Sequence, residues 1–179
     1  MPTPANILVE GPGGEREWTF LHQIICPKRD IQSASMSSLD KDLEVLRLYF
    51  DTTSRLDVDG ALATFHDDII VEAPFTPDVL PLVPKKMDKA EVTALYQSLP
   101  SFVAPLKFTN VTIEPLQRPG EYLCTYQGNS KMLATGLPYE NRYISRISMR
   151  DGKIVHFAEH YDGITLLTAL GGTVTAPKA

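Results

Sequence analysis

The sequence predicts an α+β domain in which a curved antiparallel sheet wraps around helices from the amino-terminal half. Three observations support this class. Helical periodicity dominates from residue 37 to about residue 99, alternation of apolar and polar residues dominates from residue 106 to residue 161, and short turns separate the alternating runs. Sequential strands joined by short turns form an antiparallel sheet, and helices gathered on one face of it define an α+β fold. Such a sheet can close into a cone whose mouth is a pocket.

Three helices and one strand are predicted before the sheet region. Ser37 and Ser38 are N-cap candidates for the first helix, whose apolar stripe recurs at helical spacing (Leu39, Leu43, Leu46 and Phe50). A shorter helix is expected at 57–65 and a strand at 69–75. Three prolines and the lack of any period make 76–87 a loop. Asp88 can cap a third helix that runs to about Leu99, before Pro100.

The alternating region resolves into four strands and a terminal helix. The strands are expected at 106–116, 122–134, 139–150 and 153–161, and the helix at 164–170, where two glycines stop it. Asp151-Gly152 between the last two strands is a strong hairpin signal, because both residues tolerate a positive φ.

Composition and charge narrow the class of protein. The 179 residues carry a net charge of −5, which argues against nucleic acid as the main partner. No run approaches the roughly 18 apolar residues of a membrane span. The only two cysteines, Cys26 and Cys124, are far apart, so the sequence favours a reducing cytoplasm and holds no zinc cluster. Phosphate-binding loops and metalloprotease, CxxC and nucleophile-elbow motifs are absent, so no metal and no cofactor is expected.

Residues 1–35 are expected to be an irregular extension, rich in proline and glycine and without the pattern of a signal peptide. Met36 is a candidate natural start. The domain is predicted to occupy 36–172, and 173–179 to form a tail.

Five segments of the sequence resemble a known superfamily. Residues 46–50 (LRLYF), 57–68 (DVDGALATFHDD) and 71–74 (VEAP) resemble the opening of ketosteroid-isomerase-like and SnoaL-like proteins, which share the NTF2-like cone. Residues 139–154 (YENRYISRISMRDGKI) and 158–171 are similar to the last strands and tail of the phenazine-biosynthesis PhzA/PhzB group. The resemblance covers about 38–172 and implies a homodimer. It specifies the fold better than the function, because the superfamily includes several enzyme classes and non-enzymatic binding proteins.

Glu159 is the first catalytic candidate. Period-two alternation places Val155, Phe157, Glu159 and Tyr161 on one face of the last strand, so a carboxylate stands in an apolar row. Burial raises a carboxyl pKa toward the range that suits a general acid or base. The resemblance to PhzA/PhzB proteins also implies an acid–base glutamate at this position. The alternative is a glutamate at the sheet rim, exposed or paired with an arginine.

Tyr49 is the second candidate. The resemblance to ketosteroid isomerases implies an oxyanion-binding tyrosine at this point of the first helix, whereas a core tyrosine bonded to the backbone is the simpler interpretation. The chain departs from both patterns elsewhere. Ala73 stands where the isomerases have a general-base aspartate, with Glu72 directed to the opposite face, and Met87 stands where the PhzA/PhzB pattern has a histidine.

The other candidates follow from the same alternation. His156 and His160 lie on the far face of the last strand, about 13 Å apart, too far to share a metal, and His66 is expected in an exposed turn. Arg142, Arg146 and Arg150 should form a solvated or dimer-interface row. The residues expected to line the pocket are Phe50, Phe65, Ala73, Met87, Tyr126, Tyr143, Ser145, Ile147, Phe157 and Tyr161.

These observations predict an acid–base enzyme of isomerase, cyclase or dehydratase type, acting in an apolar pocket on a small, apolar carbonyl or cyclic metabolite. Glu159 would transfer the proton and Tyr49 would stabilise a developing oxyanion. The alternative is a non-catalytic module of the same fold that binds a small ligand or mediates assembly.

Overall fold

The computed structural model describes residues 37–78, 80 and 84–175. Four helices and six strands follow one another: α1 (Ser38–Arg55), α2 (Val58–Ala63), β1 (Phe65–Glu72), β2 (Lys86–Met87), α3 (Lys89–Phe102), β3 (Phe108–Pro115), β4 (Glu121–Lys131), β5 (Pro138–Arg150), β6 (Lys153–Tyr161) and α4 (Gly163–Ala169). The expected extension at 1–35, the candidate start at Met36 and the last four residues of the tail lie outside the described residues.

The helices begin where their capping residues stand. Ser37 and Asp40 form a reciprocal capping box at α1, and Asp88 and Glu91 form another at α3. The prediction that α3 ends near Leu99 is wrong by three residues, because Pro100 sits in its last turn and the helix continues to Phe102. A proline there removes a single backbone bond close to a point where the helix ends anyway.

The sheet is curved and unclosed, with the strand order β2-β1-β6-β5-β4-β3. The four long strands pair antiparallel in sequence, as predicted. β1 joins them through a parallel pairing with β6, which places Val71 opposite Phe157. The core lies between this sheet and the helices, and its centre includes Leu46, Phe65 and Ile147.

Three segment boundaries differ from the sequence prediction around β1. The second helix ends at Ala63 rather than at Phe65, and the strand begins at Phe65 rather than at Ile69. Phe65 is 1% exposed and pairs with Ile154 of β6, so core packing draws it into the sheet. The strand ends at Glu72, and the predicted loop contains β2, which pairs with β1.

A β-bulge in β6 changes which of its residues face the core. Ser148 pairs with His156 and Met149 pairs with Ile154, so Val155 is the extra residue. Ile154 is therefore fully buried, and the expectation that Val155 belongs to the core row is wrong. Beyond the bulge the alternation holds, and Phe157 and Glu159 share the inner face.

Candidate acid–base site in the aromatic interior

Glu159 is partly buried as a residue, and its carboxylate contacts the aromatic interior through the hydroxyl of Tyr126. Glu159 stands opposite Ser145 in the β5–β6 ladder. The Tyr126 hydroxyl, from the inner face of β4, donates to Glu159 Oε1 at 2.5 Å and lies 2.9 Å from Ser145 Oγ. Three adjacent strands thus deliver a glutamate, a tyrosine and a serine to one point.

The electrostatic surroundings of Glu159 favour its neutral form. Burial raises the pKa of Glu159 to about 6, and the hydrogen bond from Tyr126 partly offsets this rise. None of the ion pairs within 37–78 and 84–175 includes Glu159, so the interpretation of a rim glutamate paired with an arginine does not describe its surroundings.

Six tyrosines are close enough to Glu159 to sense its charge. Burial is the main cause of the raised pKa of each phenol, and the negative charge of Glu159 raises it further, for Tyr49, Tyr96, Tyr126, Tyr139, Tyr143 and Tyr161. Each phenol therefore remains a neutral hydrogen-bond donor near neutral pH. A negative charge that forms beside these phenols would be stabilised by their hydrogen bonds and not by a cationic side chain.

Tyr49 does not bond to the backbone as the simpler interpretation held. Its hydroxyl lies 2.7 Å from the hydroxyl of Tyr96 on α3. Tyr96 was not among the predicted site residues. Val92, Tyr96 and Leu99 recur at helical spacing, and this spacing could have placed Tyr96 on the inner face of α3.

The residues predicted to line a pocket pack together in the core. Tyr126 stacks on Tyr143 with ring centroids 4.8 Å apart, and Phe50 meets Tyr126 edge-on at 4.8 Å. Other predicted residues are buried in the same core or in its wall at 8% exposure or less (Phe65, Ala73, Met87, Ser145, Ile147 and Phe157). Tyr161 is half-buried, and its hydroxyl lies 2.8 Å from that of Thr76.

A groove of about 420 Å³ lies between α1 and β3, away from Glu159. Its lining combines apolar side chains with Arg47 and Asp51, and the remaining residues are Leu43, Phe50, Ser54, Phe108, Val111 and Ile113. Phe50 is the one predicted pocket residue that lines it. The predicted pocket and this groove are therefore different places.

His156 and His160 lie on β6, and each has a polar contact outside the aromatic interior. His156 Nε2 lies 3.1 Å from Glu72 Oε2, and His160 lies beside the exposed Phe75 ring. The expectation for His66 is wrong, because it lies within β1 and its side chain is 20% exposed. Arg150, on the far face of β5, contacts it there.

The described part of the chain has neither a cluster of metal-ligating side chains nor a helix that could span a membrane. No three of its histidine, cysteine, aspartate and glutamate side chains are grouped so that they could hold a metal ion. None of its helices combines the length and the apolar character needed to cross a membrane. Cys124 is buried, and burial raises the pKa of its thiol to about 12, which suits an inert side chain.

A curved, unclosed sheet packed against helices, with a partly buried glutamate in the interior, defines the structural class of this protein. A sequence profile of the SnoaL-like domain matches residues 46–157, and the chain belongs to that family. The resemblance that the sequence indicated is confirmed.

Individual relatives agree with this assignment. The uncharacterized protein YesE of Bacillus subtilis is 25% identical over 139 residues, which span 77% of this chain and 92% of YesE. A crystal structure of a proposed isomerase from Bacillus subtilis is 25% identical, with a TM-score of 0.70, covering 79% of this chain and all of that one. A phenazine biosynthesis-related protein from Pseudomonas aeruginosa shares the fold at 21% identity and a TM-score of 0.64, covering 78% and 90% of the two chains.

Proposed function

We propose that this protein is an acid–base enzyme of the isomerase, cyclase or dehydratase type that acts on a small carbonyl or cyclic metabolite. The observation that carries the proposal is the Glu159 carboxylate, which faces an aromatic interior without a basic partner among the described residues. The similarity to a proposed isomerase supports the reaction class. The expected absence of a cofactor belongs to the same proposal.

Glu159 carries the proton in this proposal. With a pKa of about 6 the carboxyl group is mostly ionised at pH 7. Since this pH lies only about one unit above the pKa, the group can accept a proton and give it back. Tyr126 holds Oε1, which leaves Oε2 to accept a proton from the carbon next to a carbonyl group. As that C–H bond breaks, its electron pair forms a carbon–carbon double bond, and the π pair of the carbonyl group moves onto the oxygen. Return of the proton to a different carbon completes an isomerisation.

The developing oxyanion needs a hydrogen-bond donor, and Tyr49 is proposed for that role. The Tyr49–Tyr96 pair contains two phenol hydrogens, and one of them is used between the two oxygens. The other is available to a ligand. Donors already positioned where charge develops stabilise it without reorganisation, so a neutral phenol pair fits this chemistry.

Solvent deuterium exchange into 2-tetralone, a cyclic ketone with acidic α-hydrogens, tests the proposal. We expect the protein to accelerate exchange above the buffer rate, and Glu159→Gln to lose at least about 100-fold of that acceleration, the usual contribution of a general base. Glu140→Gln is the matched control, because Glu140 is exposed on the far face of β5. Equal exchange by both variants would refute the role of Glu159.

The groove between α1 and β3 favours the alternative of a non-catalytic ligand-binding module, since its walls do not include Glu159. Its volume falls within the range of small-molecule sites, about 300–1,000 Å³. Under this alternative Leu43→Trp, which fills the groove, abolishes binding of a copurifying ligand, and Glu159→Gln leaves that binding unchanged. The homodimer, the cytoplasmic location and the lack of nucleic-acid or membrane partners stay predictions.

A further inference from the structure

The hydroxyl group of Tyr126 lies between two polar side chains and has a single hydrogen to give. Its oxygen lies 2.5 Å from Glu159 Oε1 and 2.9 Å from Ser145 Oγ. An ionised carboxylate has no hydrogen, so the hydrogen between Tyr126 and Glu159 belongs to the phenol. The contact between Tyr126 and Ser145 therefore requires the hydrogen of Ser145, which donates to the phenol oxygen.

The surroundings of Ser145 support this direction of donation. Ser145 is completely buried, and in the described part of the chain its hydroxyl has no hydrogen-bond partner besides Tyr126. A serine hydrogen turned away from Tyr126 would be buried without an acceptor, which is costly. Burial raises the pKa of Tyr126 and the bond to Glu159 raises it further, whereas the bond from Ser145 lowers it, as a donor to the phenol oxygen does.

The other titratable groups that face Glu159 are phenols, and none of them replaces Tyr126. Burial raises the pKa of each, and the charge of Glu159 raises it further (Tyr49 of α1, Tyr96 of α3, Tyr139 and Tyr143 of β5, and Tyr161 of β6 itself). Within the described residues, the hydrogen bond to the carboxylate comes from Tyr126 alone, and no cationic side chain pairs with Glu159. Control over the charge of Glu159 therefore passes through Tyr126 and the serine behind it.

We propose that Ser145 is a positioning residue for Glu159, because its hydroxyl donates to Tyr126 and keeps the phenol hydrogen of Tyr126 on Oε1. A phenol that accepts one hydrogen bond donates the next more strongly, so the chain of two bonds stabilises the ionised carboxylate. Oε2 can then take up and give back a proton while both hydroxyl hydrogens stay in place. The use of Oε2 rests on the proposed function, whereas the two hydrogen bonds exist in the free protein.

An NMR titration of the Glu159 carboxyl carbon, identified by its loss in Glu159→Gln, tests the role of Ser145. We expect Ser145→Ala to raise the pKa of Glu159 by about 0.4, because one link of such a chain adds roughly 10–30% to a bond to a charged group. Ser145→Cys keeps a weak donor and should raise it less. Ser148→Ala is the matched control and should leave the pKa unchanged, because Ser148 lies on the same strand without a side-chain hydrogen bond in the described part of the chain.

The double variant Ser145→Ala/Tyr126→Phe separates an effect through Tyr126 from a direct one. If Ser145 acts through the phenol, Glu159 has the same pKa in the double variant as in Tyr126→Phe alone. A further rise in the double variant would overturn the proposal, because Ser145 would then act on the carboxylate itself. An unchanged pKa of Glu159 in Ser145→Ala would overturn it equally.

Deuterium exchange into 2-tetralone connects this chain of bonds to the proposed function. In Ser145→Ala the pH at which exchange levels off should rise by the same amount, about 0.4, as the pKa of Glu159. Failure of the proposed function looks different, because the unmodified protein would then not accelerate exchange at all. The NMR titration of the free protein would still decide the role of Ser145.

Discussion

Replacing Glu159 with glutamine should stabilise the protein at neutral pH and have little effect in acid. The folded protein binds the Glu159 proton more tightly than the unfolded chain, since burial raises the pKa from 4.5 to about 6. The stability that this difference contributes is complete below about pH 4.5 and is lost as the pH rises through 6. A pKa difference of about 1.5 between the folded and unfolded states corresponds to about 2 kcal/mol in the free energy of unfolding. The free energy of unfolding of Glu159→Gln should therefore exceed that of the unmodified protein by up to about 2 kcal/mol at pH 7.5.

Urea denaturation at pH 4 and at pH 7.5 measures this difference. Glu140→Gln is again the control, because an exposed carboxylate should change the stability by less than about 0.5 kcal/mol at either pH. The reasoning would be refuted if Glu159→Gln were destabilised by more than about 1 kcal/mol at pH 7.5. It would be refuted equally if the effect were the same at both pH values.

Three further variants test the surroundings of the site. Tyr126→Phe should raise the pKa of Glu159 above 6, because the hydrogen bond that it removes lowers that pKa; the carboxyl carbon resonance in an NMR titration reports it. Asn141→Ala should cost about 2–3 kcal/mol in urea denaturation, because its amide bonds both the N–H and the carbonyl of Asp162 at the start of α4. Gly128→Ala should lower stability by about 1–3 kcal/mol and reduce the Tm, since its Cβ would stand 3.1 Å from a tyrosine ring carbon.

Each of these variants has an outcome that contradicts its reasoning. An unchanged pKa of Glu159 in Tyr126→Phe would show that the hydrogen bond from Tyr126 does not lower that pKa. A loss below about 0.5 kcal/mol in Asn141→Ala would mean that α4 is held by other contacts. A gain in stability in Gly128→Ala would mean that the aromatic rings move aside without cost.

Local periodicity predicted most of the sheet. Alternation along β5 placed Tyr143, Ser145 and Ile147 on the buried face, and Arg142 and Arg146 on the opposite face are exposed. That success has a physical basis, because a strand with one buried face must alternate its side chains. Tyr126 and Glu159 were placed on the inner face by the same argument.

Long-range pairing set the features that the sequence pattern missed. The bulge at Val155 arises where β6 leaves register with β5, and no local signal marks it. The parallel pairing of β1 with β6 joins residues more than 80 positions apart. The bond between Tyr49 and Tyr96 depends on how α1 and α3 meet, which neither helix's own sequence specifies.

The central claim is that Glu159 moves a proton within the aromatic interior, and the pH dependence of deuterium exchange into 2-tetralone tests it most directly. A base with a pKa of about 6 predicts a protein-dependent rate that rises up to about pH 6 and then levels off, and that is absent in Glu159→Gln. A rate that keeps rising with hydroxide concentration to pH 9, and that survives in Glu159→Gln, would contradict the account.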